Sequence, residues 1–352
     1  MSFSDLLPGV PLVESPFFEQ LVVERGLDEP TIRVARELRE KGYAIIDLVE
    51  PDLDAMIARI KGHLGPQFAW DDWRDRGYAD HSGLRVQDAW TFDEDTRRIA
   101  ANPAVLELLG ALYGRPAFPF QTLTFPVGTQ QHLHTDAVHF HCVPERFMCG
   151  VWVALEDIHE DAGPLVYVPG SHRFPVFTNE HIGRCAARDE TLTSQASFEP
   201  LWRGLIEAHQ LETERFRAKK GQALIWAANL LHGGDTQRDP SLTRWSQVTH
   251  YYFEDCVYFT PMRSDPLYGS VEFREVVDVR TGESVAPRYA GQPLDANLVE
   301  RFRPPRPELP EGFDAARYLE ANPDVARAGM DAADHWLMYG KREGRRLTPE
   351  DE

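Results

Sequence analysis

Apolar positions fall at helical spacing through the first third of the chain. Ile32, Val34, Ala35 and Leu38 form one stripe; Asp28 is placed to cap it, Pro30 sits early in it and Gly42 stops it. Tyr43 to Leu48 is a short apolar run that reads as a buried strand. Leu53, Met56, Ile57 and Ile60 share one face of a second helix, closed near Gly62 to Gly65. Residues 66–95 are aromatic, charged and irregular. A third helical stretch is predicted over 96–113, with Pro103 near a first turn and Gly114 as its stop. Residues 1–27 lack periodicity and are expected to form an N-terminal arm.

After Pro116 the pattern changes to short apolar or alternating runs punctuated by Gly, Pro, Asp and Asn. The runs are 118–125, 132–140, 148–155, 165–168, 223–227 and 244–253. Such runs predict a β-sandwich or barrel carrying a helical N-terminal layer. A long segment, 178–215, interrupts them and is expected to act as a lid or binding loop. These elements define a main domain over 28–300. Residues 301–310, rich in Pro and Arg, are expected to be a linker. Residues 311–352 read as three short helices with a very small core, a docking or dimerisation appendage.

Charge narrows the partners. With 37 basic and 56 acidic residues the net charge is −19, so nucleic acid and anionic membranes would be repelled. No basic, apolar leader opens the sequence and no apolar run is long enough to span a bilayer. Cys142, Cys149, Cys185 and Cys256 are scattered, which fits a reducing compartment; a cytoplasmic protein is expected.

The candidate chemistry lies in a histidine cluster. His132, His134, His139 and His141 fall within ten residues. On a strand, His134 and Asp136 would point to the same face and converge on one ion. Spacing alone is weak: this composition gives about two His-x-acid triplets by chance, and a second, His159-Glu160-Asp161, lies in an acidic turn. His232 is the candidate third ligand, followed by Gly233 and Gly234, which allow close backbone approach. Two imidazoles and one carboxylate on one face of a metal suit Fe(II) and leave the opposite positions open. Arg244 then opens a run in which Arg244, Ser246, Val248 and His250 share a face. A guanidinium inside a barrel needs an anion, and its fork matches a carboxylate. A metal triad beside a buried arginine is what a keto-dicarboxylate requires.

The phrases QTLTFPVGTQQHLHTD, GVWVALEDIHEDAGPLVYVPGSH and LLHGG followed by Arg244 resemble the phytanoyl-CoA dioxygenase family over roughly residues 30–260. The resemblance implies a double-stranded β-helix (jelly-roll) core in a mainly β fold with helices. It implies Fe(II) on His134, Asp136 and His232, with 2-oxoglutarate as cosubstrate. Arg244 would pair with the distal carboxylate, and Gln121 would touch the cosubstrate. Arg244 stands slightly farther from His232 than is usual in the family, which leaves Arg238 as a rival; likewise, His132 shares a face with His134 on a regular strand. A carboxylate at 136, where related halogenases have a small residue, implies hydroxylation or another oxidation of a small-molecule substrate by O2, not halogenation. The terminal segment resembles a short helical module of bacterial glycan-related and secreted proteins. Two other functions stay open: a non-catalytic jelly-roll that binds a sugar or small molecule, and a zinc hydrolase. The second lacks a glutamate at helical spacing to a ligand histidine. Trp70, Trp73, Arg85, Gln87, Trp152, Tyr167 and the 178–215 segment are expected to form the pocket mouth, with His139 and His141 lining the pocket or packing.

Overall fold

A computed structural model describes residues 2–68, 70–75, 85–186, 195–303, 309–327, 331–341 and 344–349. The N-terminal layer contains α1 (Phe18–Glu24), α2 (Glu29–Lys41), β1 (Tyr43–Asp47), α3 (Leu53–Leu64), α4 (Trp70–Asp75) and β2 (Val86–Gln87). Next come α5 (Glu94–Ala100), α6 (Pro103–Tyr113), β3 (Ala117–Phe125), β4 (His141–Val143), β5 (Met148–Ala154) and β6 (Leu165–Tyr167). Then follow α7 (Glu199–His209), β7 (Glu214–Phe216), β8 (Gln222–Ala227), β9 (His232–Gly234), β10 (Ser246–Phe253) and β11 (Val257–Phe259).

Local chemistry explains the helix boundaries. Asp28 accepts from the Thr31 amide to start α2, and Gly42 ends it at φ +84°, a left-handed conformation that glycine adopts without strain. The stretch predicted as one helix over 96–113 is two. Asn102 leaves helical geometry and caps Val105, and Pro103, which has no N–H to donate, opens α6. The first 25 residues also hold more structure than their pattern indicates. Leu12, Val13, Phe18, Leu21 and Val22 are buried in the same cluster as α2, α3 and α6, so packing rather than periodicity orders them.

A six-stranded antiparallel sheet, ordered β1-β8-β5-β10-β3-β2, faces a three-stranded one ordered β7-β6-β9. This is the jelly-roll core. Alternate residues of the large sheet serve two layers. Val151, Val153, Ile225, Tyr251 and Phe253 pack under the helices, whereas Trp152, Leu224, Trp226 and Val248 point between the sheets. The expected strand over 132–140 does not form. His134 makes a single two-way bridge with His232, after which Asp136–Val138 turn as a 3-10 helix.

At the C-terminal end, α8 (Ala296–Phe302) precedes residues 304–308, which lie outside the described residues and within the expected linker. Then α9 (Ala315–Ala321), α10 (Pro323–Arg327) and α11 (Ala332–His335) gather around Tyr318, Val325, Ala332 and Trp336. The Tyr318 hydroxyl and His335 Nδ1 are 2.7 Å apart inside that small core. Among the described residues no helix is long and apolar enough to cross a membrane.

Two buried histidines away from the triad tie folding to pH. Burial pushes both His141 and His172 down to about 4. His172 Nδ1 has no partner among the described residues, while its Nε2 lies 3.1 Å from the Arg39 carbonyl. Below the ordinary histidine pKa of about 6.5 the unfolded chain binds protons that these folded imidazoles refuse. Stability is therefore full above about pH 6.5 and falls as pH drops toward 4. Urea midpoints should decline across that window in the metal-free protein. The decline should be shallower in His172→Gln; an identical slope in the variant would contradict this account.

Candidate metal and cosubstrate site

Three elements bring the triad together. The bridge between His134 and His232 aligns the two residues, each amide donating to the other's carbonyl at 2.9 Å. Thr135 stays extended at φ −110°, so Asp136 returns to the side of His134 although no strand continues. Gly233 makes the approach possible, since a Cβ there would lie 2.5 Å from the Gln131 carbonyl. Ligand atoms of His134, Asp136 and His232 all lie within 4.8 Å of one another, and all three residues are buried.

Hydrogen bonds fix which atoms face the centre. His134 donates from Nδ1 to the His132 carbonyl at 2.8 Å, and His232 from Nδ1 to the Leu230 carbonyl at 3.0 Å. Both therefore turn Nε2 toward the centre, the nitrogen that carries the lone pair in this tautomer. These atoms stand 4.0 and 3.8 Å from Asp136 Oδ1. Burial pushes His134 down to about 3, which keeps it neutral. The other carboxylate oxygen, Oδ2, accepts from Trp226 Nε1 at 2.7 Å and lies 3.6 Å from His250 Nε2. Burial alone would raise the Asp136 carboxyl. The His232, His250 and His134 rings and the Trp226 N–H more than reverse this and hold it below its ordinary value.

The supporting side chains form one row across the large sheet. Trp226 on β8 pairs with Gly150 on β5, which pairs with His250 on β10, which pairs with Gln121 on β3. Gly150 leaves room for the indole: a methyl there would overlap Trp226. Gln121 Oε1 accepts from His250 Nδ1 at 2.9 Å. Sequence reading missed Trp226 as a contact of the carboxylate and gave His250 no role. The alternation that exposed Arg244 also carried His250; nothing local marked Trp226.

Arg244 is 2% exposed and lies over the Trp152 ring at 5.7 Å. Burial pushes its guanidinium down to about 10, so it stays charged at neutral pH. Nη2 reaches only the Val127 carbonyl at 3.5 Å, and Nε and Nη1 have no partner among the described residues. Trp152 Nε1 and Ser246 Oγ are buried and unpartnered too. A buried cation flanked by idle donors is costly unless an anion completes it, and a carboxylate matches its fork. The rival Arg238 is exposed and pairs with Asp235 at 3.4 Å and Asp161 at 3.8 Å. His132, also a rival, is exposed and offers only its carbonyl. The donor set of two imidazoles and one carboxylate fits Fe(II), and the fork of Arg244 fits the distal carboxylate of 2-oxoglutarate.

The expected pocket mouth needs correcting. Trp70 packs on Phe68 and Trp245 in the helix-side cluster. Tyr167 is buried against Tyr43, and Trp152 lies inside beneath Arg244. Trp70 and Tyr167 are thus held by packing against other aromatics, whereas Trp152 keeps an unpartnered Nε1 beside Arg244. Arg85 and Gln87 are exposed, and the Trp73 side chain lies outside the described residues. The 178–215 segment does meet the site: Gln195 Oε1 accepts from His139 Nε2 at 2.9 Å, and Phe198 and Trp202 pack with Val138 and Leu231. His141 is buried edge-on to Phe259 and packs.

The family model described as phytanoyl-CoA dioxygenase (PhyH) matches residues 38–244, more than half of the chain. Among solved structures, the chain is similar to the non-heme alpha ketoglutarate dependent carbocyclase SnoK from nogalamycin biosynthesis. That similarity has 18% identity and a TM-score of 0.51, covering 78% of this chain and 96% of SnoK. The alpha ketoglutarate dependent epimerase SnoN from the same biosynthesis has 18% identity and a TM-score of 0.49, covering 76% of this chain and 97% of SnoN. EctD from S. alaskensis with bound Fe also has 18% identity and a TM-score of 0.49, covering 76% and 89%. No curated protein matches in sequence.

Proposed function

We propose, from the premise that the chain belongs to the phytanoyl-CoA dioxygenase family, that it is an Fe(II)- and 2-oxoglutarate-dependent hydroxylase of a small molecule. Its main domain would span 28–300. His134 and His232, through Nε2, and Asp136, through Oδ1, would hold the iron. Arg244 would hold the distal carboxylate of 2-oxoglutarate, with Trp152 Nε1 and Ser246 Oγ as further donors nearby. When bound, iron and 2-oxoglutarate supply the oxidation, consuming O2 and releasing succinate and CO2 as an unactivated C–H becomes C–OH.

The protein's own contribution is placement. Trp226 holds Oδ2 so that Oδ1 turns toward the imidazoles. The carbonyls of His132 and Leu230 hold the Nδ1–H of each ring, so that Nε2 is the atom turned to the centre. The row through Gly150 and His250 to Gln121 fixes the floor beneath the carboxylate. Gln121, assigned to the cosubstrate by resemblance, is better supported as the partner of His250.

The observation that carries this reading is the buried triad with an unpaired guanidinium on the same interior face. Anaerobic protein given Fe(II) and 2-oxoglutarate should develop a weak visible charge-transfer band. On admission of oxygen it should form succinate slowly without any added substrate. Protein that binds iron yet gives neither band nor succinate would be a ligand-binding jelly-roll instead.

A further inference from the structure

A second arginine stands beyond the triad. Along the inward face of β10 the order is Ser246, Val248, His250, Tyr252, with Arg244 two residues before the strand and Asp136 beside His250. Past that point, away from Arg244, Phe120 stacks on Tyr252 at 4.1 Å and Phe140 lies 4.8 Å from the His250 ring. Arg274 lies over both phenylalanines, 4.6 Å from Phe140 and 5.8 Å from Phe120. Its guanidinium is thus one ring layer from His250, itself 3.6 Å from the Asp136 carboxylate.

Arg274 is half-buried and lacks an acidic partner among the described residues. Thr260 Oγ1 accepts from Nη1 at 3.3 Å, and the buried Nε has no partner among the described residues. Arg263, exposed and also without an acidic partner among the described residues, adds its charge near His139 on the same side. On a chain of net charge −19 an anion is drawn in only where such local charge stands clear of carboxylates. The rings alone do not explain the arginine, because a guanidinium over aromatic faces still presents its in-plane donors outward.

We propose that the organic substrate carries an anionic oxygen group, carboxylate or phosphate, which pairs with Arg274 while Phe120 and Phe140 flank the adjoining part. This rests on the oxygenase reading. Arg244 and Arg274 then bracket the triad, one receiving the cosubstrate and the other the substrate. The anchored anion holds the substrate's neighbouring carbons over the open side of the triad.

Calorimetric titration of the whole protein under saturating 2-oxoglutarate tests this, with benzoate, phenyl phosphate and benzamide as probes. The wild type should bind benzoate or phenyl phosphate at least tenfold more tightly than benzamide; the tighter of the two anions identifies the group. In Arg274→Gln the preference should fall below twofold, with the melting temperature held. If that variant does not fold, Arg274→Met, which keeps the aliphatic contact with Phe140, takes its place. No preference in the wild type, or one that survives in a folded variant, overturns the proposal. The titration of 2-oxoglutarate alone is read separately. Its absence counts against the oxygenase assignment, whereas its presence with a preference independent of Arg274 counts against this inference only.

Discussion

Asp136→Ala should abolish both the charge-transfer band and succinate formation. The carboxylate is the only anionic member of the triad, and its Oδ1 faces both Nε2 atoms at 3.8 and 4.0 Å. Changes that merely touch residues behind a metal ligand cost about 10–100-fold in affinity or activity. Removing a ligand outright should cost at least the upper end of that range, so the loss expected is 100-fold or more. Folding suffers as well, because Trp226 Nε1 is left buried without its acceptor, at a cost of about 1–3 kcal/mol. Asp136→Asn separates the two effects: its amide oxygen can still accept from Trp226, so stability should recover while iron binding does not. Anaerobic absorption spectra and urea unfolding read the two quantities independently. A full band in Asp136→Ala would remove the triad from the mechanism.

The second large effect concerns Arg244 and runs in opposite directions for binding and stability. Arg244→Met should raise the KM for 2-oxoglutarate by about 30-fold or more, since losing one partner of a buried charge pair costs roughly 2–5 kcal/mol. The ligand-free variant should nevertheless be more stable than the wild type. Replacing buried charge with an apolar side chain of similar volume often gains about 1–4 kcal/mol. Here the native charge has two donor nitrogens, Nε and Nη1, with no partner among the described residues. The contact with Trp152 offsets only about 0.5–2 kcal/mol of that. Wild-type protein should gain stability on adding 2-oxoglutarate and Arg244→Met should not. The exposed Arg238, changed likewise, should shift stability by no more than about 0.5 kcal/mol and leave the cosubstrate KM alone. An unchanged KM in Arg244→Met, or a raised one in Arg238→Met, would transfer the role to the rival arginine.

Some of this site is written in short stretches of sequence. The cap at Asp28 and the stop at Gly42 set α2 by contacts within four residues. His134 and Asp136 share a side because Thr135 is extended, which is a two-residue property. The alternation from Arg244 to His250 put a guanidinium on an inward face because strand side chains repeat every second residue. Each of these depends on the backbone geometry of adjacent residues, and adjacent residues are what a sequence displays.

Other features come from register between distant segments. The bridge between His134 and His232, the Trp226–Gly150–His250–Gln121 row and the approach of Arg274 to Phe140 each join segments far apart in the chain. The predicted strand at 132–140 failed for the same reason: only His134 finds a pairing partner, and the chain then turns. That Arg244 is buried while Arg238 stays exposed and ion-paired is likewise set by which side chain the closed sandwich covers. The sequence by itself determined the local caps, the strand alternation, the chemistry of the donors and the family. Tertiary structure alone decided which donors meet, because register is chosen by the summed burial of both sheets and no single segment carries that sum.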